Sequence, residues 1–168
     1  MDSSREWSAA DAAASLRMPT PGDDKYSRGV VGLRTGSDEY PGAAVLGVEA
    51  AWRTGVGMVR YLGPAGPRDL VLQRRPETVT VAGRVQAWVI GSGMPAGDRR
   101  TPEQTATLRD ILAADVPVVI DAGALDLVTV DSEVGESGAG DAGAHAPRVL
   151  TPHDREHAAL RHRLGLPE

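Results

Sequence analysis

This chain contains no cysteine and no phenylalanine, and each absence narrows what it can be. Without cysteine, disulfides, thiolate catalysis and Cys-ligated zinc are excluded. Aromatic residues make up only 4% of the 168 positions, so the core must be built from Val, Leu, Ile and Ala. Lysine is nearly missing: of 18 basic residues only Lys25 is lysine, which reads as a compositional bias toward arginine. Positive charge is in deficit, with a net charge of -5. Nucleic acid and anionic membrane surfaces both attract basic proteins, so neither is an expected partner. No apolar run approaches the ~20 residues that span a bilayer. The amino-terminal residues lack a basic segment followed by an apolar one, so no secretory signal is expected. A cytoplasmic, soluble protein is the resulting expectation.

What is present is an alternation of apolar strands and amphipathic helices. Gly29–Arg34 reads as a first strand. In the helix that follows, Ala44, Val45, Val48, Ala51, Trp52 and Gly55 form one apolar stripe at helical period, with Pro41 suited to its first turn. Gly55 and Gly57 end that helix and lead into strand Met58–Leu62. A short helix is expected over Pro67–Arg74, a weak strand over Thr78–Ala82 and a stronger one over Ala87–Gly91. Thr101, Pro102 and Gln104 make a capping box, and Leu108, Ile111 and Leu112 give the helix behind it a buried face. Pro117–Asp121 reads as a buried strand ending on a carboxylate, followed by a helical turn over Ala124–Val128. Arg148–Leu150 is a brief strand, and Asp154–Leu164 a final helix closed by Gly165. This order predicts an α/β fold: a mostly parallel sheet with helices on both faces. Residues 1–24 are expected to form an amino-terminal helix, over Glu6–Leu16, and an irregular arm. Residues 25–168 read as one domain, in which the Gly- and Ala-rich stretch 131–147 is a flexible loop.

Several places could carry chemistry. The loop from Gly36 to Ala44 leads into a helix start, where free N–H groups and the helix dipole favour an anionic or polar ligand. Its plain alternative is an ordinary strand-to-helix connection. Gly91-Ser92-Gly93 directly follows a strand, where glycines let backbone approach a flat ligand or simply form a tight turn. Asp121 closes a buried strand at the rim where open α/β sheets bind ligands, and could equally cap the turn behind it. His153 lies in a strand-to-helix corner on the same rim, able to donate to a substrate or to rest in solvent. His157 and His162 belong on the exposed side of the last helix, and no histidine sits in a metal-ligating spacing. In Gly138-Ala139-Gly140-Asp141 the Asp is not followed by a helix-forming segment, because Gly143 and Pro147 intervene. Asp141 therefore reads as a chance match to a catalytic Gly-x-Gly-Asp element.

Taken together, Lys25-Tyr-Ser-Arg-Gly29, Gly36-Ser37, Tyr40-Pro-Gly-Ala-Ala44, Gly55-Val-Gly-Met-Val-Arg60, Ile90-Gly-Ser-Gly93, Val119-Ile-Asp-Ala-Gly-Ala-Leu-Asp-Leu127 and Leu150-Thr-Pro-His153 resemble the ADP- or ATP-dependent NAD(P)H-hydrate dehydratases. The resemblance implies a ribokinase-like fold, here C-terminally incomplete. It implies repair of the S-epimer of NAD(P)H hydrate: phosphorylation of the ring hydroxyl by ADP or ATP with Mg2+, then loss of phosphate. Carried over by motif, Ala43, Gly93 and His153 would contact the hydrate, with Asp121 beside the same cleft. The family usually has Gly-Pro-Gly where this chain has Gly91-Ser-Gly93, and a glycine after His153 where this chain has Asp154-Arg155. Family members continue beyond the region matched here, and the continuation holds their nucleotide segment and catalytic Asp. The resemblance therefore implies a substrate-side portion that is inactive alone and, with its sheet incomplete, prone to form a homo-oligomer. Two other readings compete: a fragment of a small-molecule kinase of the same superfamily, and a non-catalytic nucleotide-binding module.

Overall fold

Five short strands carry the molecule: β1 (Val30–Arg34), β2 (Met58–Tyr61), β3 (Ala87–Ile90), β4 (Val118–Ile120) and β5 (Arg148–Leu150). The computed structural model describes residues 6–129 and 146–166. The strands form one sheet in the order β2-β1-β3-β4-β5, and every neighbouring pair is parallel. Because side chains alternate across a strand, the sheet has two distinct apolar faces. On one, Leu33, Val59 and Tyr61 are sealed by Ala44 and Val48 of α2 (Pro41–Arg53) and Val71 of α3 (Ala65–Arg74). On the other, Ile90, Val118 and Ile120 meet Leu108 and Ile111 of α4 (Pro102–Ala113) and Ala124 and Leu125 of the 3-10 turn Ala122–Leu127. Each fully buried Leu, Ile or Val contributes about 1.5–3 kcal/mol, so these two clusters hold the sheet together. The final helix, α5 (Asp154–Arg163), is tied to the 3-10 turn by Arg163, which donates to the carbonyls of Val128 (2.6 Å) and Leu125 (2.7 Å).

The helix stripe of α2 is as its spacing predicts, and Gly55 ends that helix at φ +82°. The Thr101–Gln104 capping box is present, with Thr101 Oγ1 accepting from the Gln104 amide at 3.2 Å. The amino-terminal helix α1 is shorter than expected, Ala9–Ser15, because Ser8 and Asp11 form a capping box that starts it there. Thr78–Ala82 is not a strand: only Val79 bridges to Arg60. The reason is the Arg60 side chain, which donates to the carbonyls of Val81 (2.8 Å) and Arg84 (3.2 Å) and draws the backbone away from the ladder. The helical turn after β4 is present as a 3-10 turn, and it starts two residues earlier than predicted, at Ala122.

The Lys25–Gly29 motif lies at the amino end of β1. Asp24 accepts from the amides of Tyr26 and Ser27 at 2.8 and 2.7 Å, making a tight turn. Arg28 then donates to the carbonyls of Gly55 and Arg17, clasping the arm to the end of α2. A side chain on Gly57 would strike the Lys25 backbone. The segment 131–147, with Asp141, lies outside the described residues except for its last two positions.

Candidate functional site

The order β2-β1-β3 fixes where a ligand can enter. The chain leaves β1 toward β2 on one side, and β3 takes its place on the other side, so the loops after β1 and β3 separate above the sheet. Such a reversal opens a crevice at the carboxyl ends of the strands. Gly36 and Gly91-Ser92-Gly93 lie at this point, and the Gly36 amide donates to the Ser92 carbonyl at 2.7 Å. Both loops use left-handed glycines: φ is +76° at Gly36, +103° at Gly91 and +66° at Gly93. Residues with a Cβ adopt such angles at a cost of roughly 1–2 kcal/mol each.

Two of the four residues singled out by sequence touch. A Cβ on Gly93 would sit 2.5 Å from the Ala43 Cβ and 3.1 Å from the Tyr40 carbonyl oxygen, so Gly93 is the only residue type that fits against α2 there. Asp121 joins them through Ser92, whose hydroxyl donates to its carboxylate at 2.7 Å. The other carboxylate oxygen accepts from the Thr151 hydroxyl at 2.9 Å. Asp121 does not cap the turn behind it with its side chain. It is a clamp that holds the end of β3 to the end of β5.

His153 stands two residues after Thr151 on the same rim. Its Nδ1 accepts from the amides of Arg155 (3.2 Å) and Glu156 (3.5 Å), while the Glu156 carboxylate accepts from the His153 amide at 3.0 Å. The imidazole thus serves as the amino-terminal cap of α5. With Nδ1 accepting, the neutral ring carries its proton on Nε2. Nε2 lies 3.5 Å from Glu156 Oε1 on a side chain 64% exposed, so it can donate outward. His157 and His162 are exposed, as their positions on the helix predict.

Sequence reasoning missed two features of the site: Ser92 and Thr151 are the partners of Asp121, and no local spacing reveals them. The start of α2 is singled out by sequence, and Tyr40 makes no side-chain cap there, whereas α1, α4 and α5 all begin with capping boxes. Pro41 brings no N–H and the Ala43 amide donates to the Tyr40 carbonyl at 3.3 Å, so the Gly42 amide is the first-turn donor left without a side-chain cap, at the positive end of the helix dipole. A Cβ added at Gly42 would meet nothing within 4 Å, so the helix start opens onto space. Behind it, the Tyr61 hydroxyl donates to the Thr35 carbonyl at 2.8 Å and pins the loop. Burial raises the Tyr61 pKa, keeping the phenol a donor.

Among the described residues no group of three or more His, Asp or Glu could hold a metal ion. Both oxygens of Asp121 are taken by hydroxyls. The residues present do not fit a Mg2+ site, and no chemical step is derived through one. Among the described residues no helix is long and apolar enough to cross a membrane.

The family defined by NAD(P)H-hydrate dehydratases matches residues 31–166, and this chain belongs to that family. A bifunctional NAD(P)H-hydrate repair enzyme of Corynebacterium glutamicum is 46% identical over 143 residues, covering 82% of this chain and 23% of the relative. An ADP-dependent (S)-NAD(P)H-hydrate dehydratase of Xanthomonas campestris is 34% identical over 174 aligned positions, covering 88% of this chain and 54% of the relative. Among solved structures, the ADP/ATP-dependent NAD(P)H-hydrate dehydratase of Bacillus subtilis, co-crystallized with ATP/Mg2+, superposes with a TM-score of 0.74 at 26% identity, over 94% of this chain and 56% of that one. The fold is ribokinase-like, as the sequence implied. The chain spans about half the length of the single-function relatives and a quarter of the bifunctional one.

Proposed function

We propose that this chain carries the hydrate-binding part of an (S)-NAD(P)H-hydrate dehydratase. The observation that carries the reading is the contact of Gly93 with Ala43 at the reversal of strand order, beside the uncapped start of α2. Gly93 packs on the Ala43 methyl there, so the rim beside the contact is bounded by small groups that a flat ring could approach closely. Ala43 and Gly93 would bound the hydrated nicotinamide. The Gly42 amide at the start of α2 would receive one of its polar groups. His153 would donate from Nε2 to a substrate oxygen while its Nδ1 holds α5, and Asp121 would keep the two loops in register. ADP or ATP with Mg2+ would supply the phosphoryl group, and the described residues assemble no carboxylate cluster to receive the metal. Phosphoryl transfer depends on positioned charge around the transferring group. The 168-residue polypeptide is therefore expected to bind hydrate without turning it over. A cytoplasmic location belongs to the same reading. So does self-association: among the described residues β5 pairs on one side only, and Val149 on it is 52% exposed.

The test is calorimetric titration of the purified chain with the S-epimer of NADH hydrate, followed by an assay for NADH formed with ADP and Mg2+. Saturable binding that Gly93→Val abolishes, with no NADH formed, is the expected result. Absence of binding refutes the site, and turnover refutes the statement that this polypeptide is inactive alone.

A further inference from the structure

A cavity of about 540 Å3 lies on the α4 face of the sheet, over Arg34 of β1 and Trp88 of β3. None of Ala43, Gly93, Asp121 and His153 lines it. Small-molecule sites run from roughly 300 to 1,000 Å3, so the volume suits one compact ligand. Its floor is Trp88. A Cβ on Gly32 would fall 2.6 Å from the six-membered ring of that indole, so the ring lies flat across β1 where Gly32 leaves space. The indole is only partly buried. Thr80 and Ala82 form one wall, and Thr107, Asp110 and Ile111 of α4 form the other.

The charge at the end of the cavity is unusual for this molecule. Arg100 is buried against Asp126, with both guanidinium nitrogens bonded to the carboxylate at 2.6 and 2.7 Å. Arg34, which lines the cavity, makes no ion pair among the described residues. Its Nη1 donates to the Leu62 carbonyl at 2.5 Å, and its Nε is buried without a partner. Partial burial of this guanidinium lowers its pKa, against the weaker opposing pull of Tyr61 and Glu103. A desolvated cation of this kind favours an anion at its remaining edge. Of the two guanidinium groups in the lining, Arg68 is already paired with Asp69 at 3.4 Å, which leaves Arg34 to meet an anion, and the lining carries one carboxylate, Asp110. That balance suits a ligand of single negative charge and opposes a polyphosphate, which Asp110 would repel.

We propose that this cavity is a second ligand site, taking a flat aromatic molecule that bears one carboxylate: the ring stacks on Trp88 and the carboxylate meets Arg34. The site is separate from the hydrate crevice, so either can fail experimentally while the other stands. The geometry asks for both parts of the ligand. A ring without charge leaves Arg34 uncompensated, and a small anion without a ring leaves the indole uncovered.

The experiment titrates the full 15N-labelled chain with 1-naphthoate, 1-naphthamide or inorganic phosphate, reading the indole N–H signal of Trp88 by NMR. Naphthoate is expected to shift that signal saturably, naphthamide to bind roughly tenfold more weakly or worse, since a charge-assisted hydrogen bond is lost, and phosphate to leave it unmoved. Arg34→Gln is expected to weaken naphthoate binding by a similar factor. Thr107→Phe, a change on the partly exposed wall of α4 that fills the cavity, is expected to abolish the shift while the circular dichroism spectrum stays unchanged. Should Arg34→Gln unfold the chain, the naphthamide comparison and Thr107→Phe decide the matter. The proposal is overturned if Trp88 shows no saturable shift, if naphthamide binds as well as naphthoate, if phosphate alone reproduces the shift, or if Thr107→Phe leaves it intact.

Discussion

Replacing Gly93 by alanine tests the crevice at its tightest point. Two costs can be worked from the geometry. The backbone sits at φ +66°, which for an L-residue costs roughly 1–2 kcal/mol. The new Cβ would then lie 2.5 Å from that of Ala43, where ordinary contact begins at 3.4 Å, so loop and helix must separate by 0.9 Å, the difference of those two distances. Overpacking of this sort costs about 1–3 kcal/mol. The expected loss of stability is therefore about 2–5 kcal/mol, and a chain of this size should melt roughly 4–20 °C lower. Hydrate affinity should fall at least tenfold, because the crevice is bounded by the same two residues. A double-mutant cycle separates the two costs. Ala43→Gly in the Gly93→Ala background removes the clash but not the backbone strain, so it should restore about 1–2 kcal/mol through coupling between neighbours. Additive effects of the two substitutions, or a Gly93→Ala protein that melts with the parent, would refute the packing described here.

Three further outcomes are expected. Asp121→Ala removes the acceptor shared by Ser92 and Thr151; a loss of about 1–3 kcal/mol in denaturant unfolding, with faster amide exchange at Gly93 and Met94, would establish the clamp. His153→Ala should cost about 1 kcal/mol through the lost cap, whereas His153→Asn should restore the cap without restoring hydrate affinity; equal binding by the asparagine variant and the parent would leave the imidazole a purely structural role. Glu49 accepts from Arg75 and Arg53, which bring its pKa from 4.5 down to about 2. A depressed carboxylate contributes stability above its unfolded pKa and loses it as pH falls through the folded value. The α2–α3 contact should thus weaken between about pH 4.5 and 2, and Glu49→Gln should flatten the stability profile over that interval.

The elements that sequence reveals are those whose determinants are local. The α2 stripe, the Thr101 capping box and the apolar run of β3 each depend on residues within one or two turns, and each is where its spacing predicts. Thr78–Ala82 reads as a strand by composition, but the Val81 carbonyl is claimed by the side chain of Arg60, a residue on another element. Asp121 illustrates the same limit at the site. Its hydroxyl partners lie 29 and 30 residues away in sequence, so only the parallel register of β3, β4 and β5 brings them together. The cap formed by His153 was legible in part: Glu156 stands three residues on, as in a capping box, and only the unusual imidazole disguised it. The contact of Ala43 with Gly93 came through resemblance rather than physics, since nothing in either motif says that the other is near.

The bare beginning of α2 sets stability and recognition against each other. An Asp or Ser in place of Tyr40 would supply the missing acceptor and firm the helix by about 1 kcal/mol, yet it would occupy the very donor a ligand needs. Engineering for heat tolerance would be drawn to this substitution, and the sturdier protein that resulted would have filled its own doorway.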